Sequence, residues 1–306
     1  MTRGYRVPVV VPVAPIPPEF RAAILAWYDA RARDLPFRAS RDPWAILVSE
    51  AMAQQTQISR VVEKWGLFMA AFPTAQALAA ATPADVLRAW QGLGYNRRAL
   101  NLWRAARTIV EEHGGRVPGE VADLERLPGV GPYTARAVAA IAFDRPVGAV
   151  DTNVRRVLGR VAGGADGLAA AALQSIADAL VPPDRPAAWT HAVMDVGATF
   201  CRPRRPDCDA CPARAWCRYT AAPPPDRTPS GDPRRPELPF QGTSRWLRGR
   251  ILEQLRSASD GAWTTITVPL GTHGAEAIRA ALAALASEGL VELDPADRKI
   301  ARLPLA

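Results

Sequence analysis

The chain of 306 residues is long enough to bury a substantial core and to hold more than one domain. Its 38 basic and 30 acidic residues give a formal net charge of +8, which favours a polyanionic partner. No run of 18 apolar residues occurs, so we expect no membrane span. The apolar segment 7–18 contains five prolines, which exclude the core of a secretory signal peptide.

The spacing of apolar residues predicts a helical main body. Residues 1–17 read as a flexible, proline-rich arm. Thr82 and Pro83 form a helix start, with a capping residue followed by proline in the first turn. No segment before residue 240 has the alternating pattern of a strand, so the body is predicted to be all-α. Helices are predicted at 19–33, 44–58, 97–113, 168–180 and 186–200.

The stretch 120–160 reads as a helix, a tight glycine turn, a second helix, a short loop and a third helix. Gly129 and Gly131 form the turn, and glycine allows backbone angles and close approaches that a side chain forbids. With the free N–H groups at the start of the next helix, the turn is a natural seat for a phosphate. Asp151 begins the third helix, where aspartate is a favoured cap.

The C-terminal part has a different composition from the body. Residues 218–240 are rich in Pro, Arg and Asp and read as a linker. In 241–306, two predicted helices precede the segments LVEL and KIARL, which flank a DPADR turn as in a β-hairpin. This order predicts a small α+β, winged-helix-like module. Such a module fits a packing appendage and a DNA-binding element equally well.

All four cysteines lie in one short loop, with the spacing Cys-x6-Cys-x2-Cys-x5-Cys. Clustering of this kind favours a metal site over a disulfide framework. Four thiolates in one loop can hold a [4Fe–4S] cluster, whereas a zinc ribbon usually has two CxxC knuckles and only one is present. Zinc is the alternative. The predicted ligands are Cys201, Cys208, Cys211 and Cys217.

The loop between the first two cysteines is basic. It carries Arg202, Arg204 and Arg205 within the segment RPRRPD. A metal centre that holds such a loop in place would present these arginines to phosphates, which suggests a positioning function. An ordinary solvated loop is the other interpretation.

Several segments together resemble one family. LPGVGPYTARAVAAIAF and AVDTNVRRVLGR, followed by the four-cysteine spacing, resemble the helix-hairpin-helix DNA glycosylases of the endonuclease III superfamily. DLPFR, SEAMAQQTQ and GLGYNRRA narrow the resemblance to adenine DNA glycosylases of the MutY type, over about residues 19–217. The resemblance implies a two-lobed catalytic domain at 18–217 that holds one [4Fe–4S] cluster. The helical lobe would span about 43–150, and the cluster lobe would combine 18–42 and 151–217.

The resemblance implies a monofunctional glycosylase of base excision repair that hydrolyses the N-glycosidic bond of adenine mispaired with 8-oxoguanine or guanine. Its partner would be double-stranded DNA with a mispair or lesion, and we expect a cytoplasmic, nucleoid-associated monomer. The usual family member reads the oxidised guanine through a C-terminal domain related to nudix hydrolases, which residues 241–306 do not resemble. Reading of the opposite base would then pass to the catalytic body, through Tyr95 and Gln55, or be looser.

A glycosylase needs an acid that helps the base to leave and a carboxylate that stabilises the sugar cation. Glu50 lies in an almost continuously apolar helix, where burial favours the protonated form that a general acid requires. By resemblance, Glu50 protonates adenine at N7 and Asp151 stabilises the cation or a covalent glycosyl intermediate. Tyr133 stands where lyases of the superfamily carry an attacking lysine, and neither Lys64 nor Lys299 matches that position. A monofunctional enzyme is therefore predicted.

The remaining candidates would contact DNA or the flipped base. By resemblance, Gln54, Gln55 and Thr56 lie at the DNA, with a glutamine in the space that the flipped base leaves. Tyr95 would be an aromatic wedge near the opposite base. His191 fits either the base pocket or the core. The resemblance assigns the pocket to Leu35, Phe37, Arg38 and His191, with Phe37 replacing a usual tryptophan.

Three other functions compete with adenine excision. A thymine or uracil glycosylase acting at G mismatches can share Tyr133. An endonuclease III-type lyase lacks its lysine here. A non-enzymatic iron–sulfur DNA-binding regulator would keep the basic loop and the C-terminal module but has no use for a glutamate in an apolar helix.

Overall fold

The structure is a computed structural model that describes residues 16–164, 168–219 and 239–305. The predicted arm at 1–17 and the predicted linker at 218–240 lie almost entirely outside the described residues. The described part is mainly helical and its strands all follow residue 260, so the predicted class, an all-α body with a small α+β C-terminal module, is confirmed.

The described residues divide into two compact units. Unit 1 comprises 16–35, 119–122, 131–164 and 168–219, and unit 2 comprises 36–118, 123–130 and 239–305. The helix that follows the turn at Gly129 and Gly131 therefore belongs to unit 1. The C-terminal module belongs to unit 2. The predicted lobes divide the chain differently, at 42 and 150, and the assignment of functional domains stays a prediction.

Unit 1 is built around a helix that is buried over most of its length, α11 (Pro186–Thr199). Three helices pack on it, α1 (Pro18–Arg31), α8 (Pro132–Ala142) and α9 (Thr152–Gly163), and α10 (Ala170–Leu180) packs on α9. A Cβ built on Gly197 of α11 would lie 2.5 Å from Cβ of Asn153 on α9. Glycine thus lets the two helices approach closely, and this contact positions the first turn of α9.

Unit 2 buries large apolar side chains between short helices. These are α2 (Pro43–Ala53), α3 (Ile58–Ala71), α4 (Ala75–Ala80), α5 (Pro83–Ala89) and α6 (Arg97–His113). Phe68 and Trp90 meet edge to face at the centre of this core. A short helix, α7 (Val121–Glu125), leads into the glycine turn.

The predicted helix signals act as expected. Thr82 caps α5 in a capping box with Asp85, and Pro83 occupies the first helical position. The last turn of α6 ends at Gly114, whose φ of 58° is left-handed and favours glycine. The predicted start of α9 at Asp151 is confirmed, because its side chain accepts a hydrogen bond from the backbone N–H of Val154.

The C-terminal module contains α12 (Ser244–Ser257), α13 (Ala275–Ser287) and a three-stranded antiparallel sheet. The sheet has the order β1-β3-β2, with β1 at Thr264–Thr265, β2 at Glu292–Leu293 and β3 at Ile300–Arg302. Strands β2 and β3 form the predicted hairpin. Strand β1 was not predicted, since two threonines are too short for a periodic pattern.

One predicted helix is wrong in its extent. The pattern over 44–58 predicts a single helix, but α2 ends at Ala53 and α3 begins only at Ile58. Gln55 adopts a left-handed conformation with φ of 55°. The break has a tertiary cause, because the half-buried Arg98 of α6 binds the last carbonyls of α2.

None of the helices in the described ranges is both long and apolar enough to cross a membrane.

Candidate functional site

Glu50 lies near the end of α2 in unit 2. Asp42 caps this helix by accepting a hydrogen bond from the Trp44 backbone N–H at 3.0 Å. Residues 44–49 and Met52 are buried, whereas Glu50 is half-buried. The sequence pattern predicts a more deeply buried glutamate. The difference arises because Glu50 borders the last turn, where Ala51 and Ala53 are also partly exposed.

Arg98 on α6 organises the loops around the end of α2. Its Nη1 donates to the carbonyl oxygens of Ala51 and Met52 at 2.8 and 2.9 Å. Its Nη2 donates to Oγ1 of Thr56 at 2.9 Å and to the Leu93 and Gly94 carbonyls at 3.1 Å each. One guanidinium therefore ends α2 and ties the segment 54–56 to the glycine turn 92–95. Burial lowers the pKa of Arg98 to about 10, which leaves it charged at neutral pH.

Tyr95 is presented at the surface by this turn. Its φ is 45°, a left-handed conformation that is uncommon for a tyrosine, and 44% of its side chain is exposed. The guanidinium of Arg98 lies 5.6 Å from the centre of its ring, and that of Arg245 lies 4.8 Å from it. The ring is thus held by two cations and remains exposed.

The two glycines of the predicted phosphate site, Gly129 and Gly131, have different structural roles. Gly129 has φ of 80°, and a Cβ there would lie 2.6 Å from Cβ of Asn101. Gly131 has an ordinary extended backbone (φ −96°, ψ 177°), is exposed, and would meet no atom within 4 Å. Gly129 therefore serves the fold of the turn. Gly131 leaves open space at the N-terminus of α8, where free N–H groups favour an anion.

Asp151 has both carboxylate oxygens engaged. Oδ1 accepts from the Val154 backbone N–H at 2.6 Å, and Oδ2 accepts from Nδ2 of Asn153 at 2.9 Å. The carboxylate is half-buried at the N-terminus of α9. The arrangement holds a negative charge in one orientation, as the stabilisation of a cation requires.

A chain of hydrogen bonds joins Asp151 to the cysteine loop. Asn153, which donates to Asp151, accepts from Nη2 of Arg156 at 2.7 Å. Arg156 also donates from Nε to the carbonyl oxygen of Cys201 and from Nη2 to that of Gly197 at 2.8 Å. The position of the carboxylate therefore depends on the loop that carries the cysteines.

Tyr133 lies in the first turn of α8 and is half-buried. Its hydroxyl donates to the thioether of Met194 on α11, with the heavy atoms 3.9 Å apart. This contact belongs to unit 1. Position 133 itself offers no amine, and the two lysines of the chain, Lys64 and Lys299, both belong to unit 2.

The predicted pocket residues are divided between the units. Leu35 and His191 belong to unit 1, where the His191 ring lies 6.4 Å from that of Tyr28. Phe37 and Arg38 form a short 3₁₀ turn in unit 2, and the Phe37 ring packs edge to face on Trp65 at 6.2 Å. All four predicted pocket residues are half-buried.

The four cysteines line one cavity of unit 1, together with Arg160, Arg214 and Tyr219. Burial raises the pKa of the Cys211 thiol to about 11 and also raises that of Cys217, and the neighbouring thiols add to both effects. The thiolate forms therefore need a positive partner in this cavity. Within the described ranges, no three His, Cys, Asp or Glu side chains are arranged to hold a single metal ion.

Arg160 of α9 lies against this cavity and is almost fully buried. Its Nη1 is 3.5 Å from Sγ of Cys201 and donates to the Arg202 carbonyl at 3.0 Å, while its guanidinium stacks on Tyr219. The side chains of Arg202, Arg204 and Arg205 are exposed, and Arg205 has φ of 52°. The loop backbone is thus held from within while its arginines face solvent.

Sequence reasoning missed four residues of the site: Arg98, Asn153, Arg156 and Arg160. All four lie inside the segments GLGYNRRA and AVDTNVRRVLGR. For Arg160, the one of the four that is buried, the sequence carried a signal. An arginine at an apolar position of a helix, such as Arg160 between Leu158 and Val161, requires a buried acceptor.

The hairpin turn, the capped aspartate and the helical units define the class of the protein. Residues 48–183 match the family model described as "HhH-GPD superfamily base excision DNA repair protein". A relative from Mycolicibacterium smegmatis named adenine DNA glycosylase is 46% identical over 239 residues, which span 77% of this chain and 80% of the relative. The chain belongs to the adenine DNA glycosylase family.

The chain is also similar to a human relative and to solved structures of the same fold. The adenine DNA glycosylase of Homo sapiens is 45% identical over 212 residues, or 65% of this chain and 39% of that protein. A thermostable thymine-DNA glycosylase superposes with a TM-score of 0.62 and 31% identity over 66% of this chain and 94% of its own. An endonuclease III–DNA complex shares the fold, with a TM-score of 0.57 and 22% identity over 67% of this chain and 96% of its own.

Proposed function

We propose that the protein is a monofunctional adenine DNA glycosylase that hydrolyses the N-glycosidic bond of adenine mispaired with 8-oxoguanine or guanine. The observation that carries the proposal is the Asp151 carboxylate, which is held by the Val154 N–H and by Asn153 at a helix N-terminus. A fixed anion stabilises an oxocarbenium-like sugar without reorganisation during the reaction. Membership of the adenine DNA glycosylase family supports adenine as the base.

In this mechanism Glu50 acts as general acid. It protonates the departing adenine at N7, since a neutral base leaves more easily than an anion. Its carboxylate then assists the attack of water on the sugar carbon. The half-buried position of Glu50 beside a deeply buried helix face supports this role, because the carboxyl is held by the helix and is still accessible to a base that enters from solvent.

Tyr133 supports hydrolysis without strand cleavage. A lyase of this superfamily attacks the sugar with a lysine amine to form an imine. A tyrosine at this position, with its hydroxyl on Met194, offers no amine. The product would therefore be an intact strand with an abasic site.

Three elements would grip the DNA. The open space at Gly131 and the N–H groups of the first turn of α8 suit a phosphate. The segment 54–56 and Tyr95, which Arg98 holds together, suit the gap and the base stack near the flipped adenine. The exposed arginines Arg202, Arg204 and Arg205 suit the DNA backbone. We propose that the protein acts on DNA as a monomer, in the cytoplasm at the nucleoid.

We propose that Cys201, Cys208, Cys211 and Cys217 hold one [4Fe–4S] cluster. Four thiols around one cavity, with Arg160 against Cys201, fit such a cluster. When bound, the cluster would supply the positive partner of the buried thiolates and hold the basic loop in place. Iron and sulfide analysis of the purified protein tests this, with about four iron atoms expected per chain. Stoichiometric zinc in place of iron would contradict it.

A single-turnover assay with alkali work-up tests the activity. Duplexes would contain A·8-oxoG, A·G, T·G or U·G, and we expect cleavage of the first two only. The Glu50→Gln variant should bind the A·8-oxoG duplex as tightly as the wild type but remove no adenine. Thr152→Ala is a matched control, since that side chain is exposed in the first turn of α9. Cleavage confined to T·G or U·G would refute adenine specificity.

A thymine or uracil glycosylase acting at G mismatches is the second candidate. It is favoured by the 31% identity to a solved thymine-DNA glycosylase. The same four duplexes separate the two functions, because only a thymine or uracil enzyme would process T·G or U·G.

A further inference from the structure

The C-terminal module is anchored next to the turn that carries Tyr95. Arg256 of α12 donates from Nε to the Leu87 carbonyl at 2.9 Å and from Nη2 to Oδ1 of Asn96 at 2.6 Å. Asn96 directly follows Tyr95 in the chain. A second link is an ion pair in which the arginine belongs to the body and the carboxylate to the module: Arg88 of α5 lies 2.5 Å from Asp260. The module is therefore bound to the residue that follows the turn 92–95 and to the neighbouring helix α5.

Three of the four arginines on α12 have partners within unit 2. Arg248 pairs with Glu288 at 2.6 Å, Arg250 pairs with Glu253, and Arg256 binds the two oxygens described above. The fourth, Arg245, is exposed and makes no hydrogen bond or ion pair within the described residues, and its guanidinium lies 4.8 Å from the centre of the Tyr95 ring. Its N–H donors are thus available for an anion, while its guanidinium also contacts the aromatic ring.

A second arginine near the Tyr95 ring, Arg98, is of a different kind. Arg98 is half-buried, and its Nη1 and Nη2 groups already donate to the carbonyls of α2 and of the glycine turn. It can hold the ring but has little capacity left for DNA. Arg245 combines ring contact with exposed donors, so it alone of the two can reach a phosphate beside an inserted tyrosine.

The module does not use the helix that a winged-helix protein usually inserts into DNA. In that fold the helix before the hairpin is the reader, which here is α13 with the sequence AEAIRAALAALAS. Arg279 is its only basic residue, and Glu276 offsets it. A surface of this kind gives little attraction to phosphates. The start of α12, next to Tyr95, is the part of the module suited to DNA.

We propose that Arg245 is a DNA-contacting and specificity-determining residue supplied by the C-terminal module. It binds a backbone phosphate next to the point where Tyr95 enters the base stack, and its stacking fixes the angle of that ring. The module thereby takes part in reading the mispair through Tyr95. This inference rests on the proposed function in one respect, the insertion of Tyr95 into DNA.

Equilibrium binding by the full-length holoprotein tests the proposal. The probe is a duplex with a tetrahydrofuran abasic analogue opposite 8-oxoguanine, titrated over a range of KCl concentrations. Arg245→Ala should weaken binding about tenfold and lower the slope of log K against log salt by about one. Arg245→Lys should keep the slope but lose part of the affinity, because an ammonium retains the charge without the planar stacking.

Arg250→Ala is the matched control, because Arg250 is exposed on the same helix and pairs with Glu253, away from Tyr95. It should bind like the wild type, and the thermal unfolding midpoints of all variants should agree. An Arg245→Ala protein that binds like Arg250→Ala, with the wild-type salt slope, overturns the phosphate contact.

A double-mutant cycle tests the stacking. The effect of Arg245→Ala should shrink in a Tyr95→Ala background, since the two residues act together. Equal effects in both backgrounds would overturn the positioning of Tyr95. No base is removed in these binding measurements. The proposal for Arg245 can therefore be judged even if the four-duplex assay shows no adenine excision.

Discussion

Asn153, in the first turn of α9, donates a hydrogen bond from Nδ2 to Oδ2 of the capping residue Asp151 over 2.9 Å. Its own Oδ1 accepts from Arg156, whose Nε is bound to the Cys201 carbonyl. The amide is therefore fixed at both ends, and it orients the carboxylate independently of the backbone cap from Val154. We therefore propose Asn153 as a positioning residue for the proposed reaction.

Asn153→Ala should slow adenine excision roughly ten- to hundredfold, because Oδ2 of Asp151 loses its donor and the carboxylate turns away from its productive orientation. The dissociation constant for the abasic-analogue duplex should stay close to that of the wild type, which separates positioning from general damage. Single-turnover rates and binding measure the two effects. Wild-type excision by Asn153→Ala, or an equal loss of binding, would remove this role.

Arg98→Ala should destabilise the protein by about 2–4 kcal/mol, because several carbonyl oxygens lose the donors that satisfy them. Arg98→Lys should recover only part of the loss, since one ammonium cannot reach α2 and the 92–95 turn together. Thermal unfolding of the holoprotein measures both. Arg97→Ala, an exposed neighbour on α6, should unfold like the wild type. A stable Arg98→Ala protein would contradict the assigned link between the loops.

Substitution by alanine at the two glycines of the hairpin should affect different properties, stability at Gly129 and DNA binding at Gly131. Gly129→Ala should cost about 1–3 kcal/mol of stability, because its φ of 80° is left-handed and the new methyl would meet Asn101. Gly131→Ala should leave stability unchanged and weaken DNA binding about tenfold, since its methyl would occupy the space open to a phosphate. Thermal unfolding and duplex titration check the pair. Similar effects at both positions would be inconsistent with the two different roles.

Tyr133→Lys should introduce strand-cleaving activity, because it supplies the amine that lyases of the superfamily use at this position. Borohydride treatment during the reaction on A·8-oxoG DNA should trap a covalent adduct with this variant. Tyr133→Phe is the control and should give none, like the wild type. Efficient trapping with the wild-type protein would instead show that another amine serves, and the enzyme would not be monofunctional.

Much of the site could be predicted from the sequence because its signals are local. The cap at Asp151 depends on the backbone three residues away, at Val154, and the end of α6 depends on one left-handed glycine. The cysteine spacing and the tyrosine at position 133 are likewise visible in single segments. Such features are decided within one or two turns of chain.

The end of α2 shows where local signals fail. Residues 44–58 carry a continuous helical pattern, yet the helix stops at Ala53 because Arg98 takes its last carbonyls. The partner lies 47 positions away from Ala51, beyond the reach of any periodicity. The burial of Glu50 was overestimated for the same reason, since a helix that ends early exposes its last turn.

By itself, the sequence determined the helical class, the hairpin turn, the caps and the cysteine loop, and through them the family. The tertiary structure alone decided which residues support these groups: Asn153 beside Asp151, Arg160 against the cysteines, and Arg245 on Tyr95. The physical reason is the range of the interactions. Caps and turns depend on neighbours along the chain, whereas a buried guanidinium or a stacked ring depends on partners that only packing brings together.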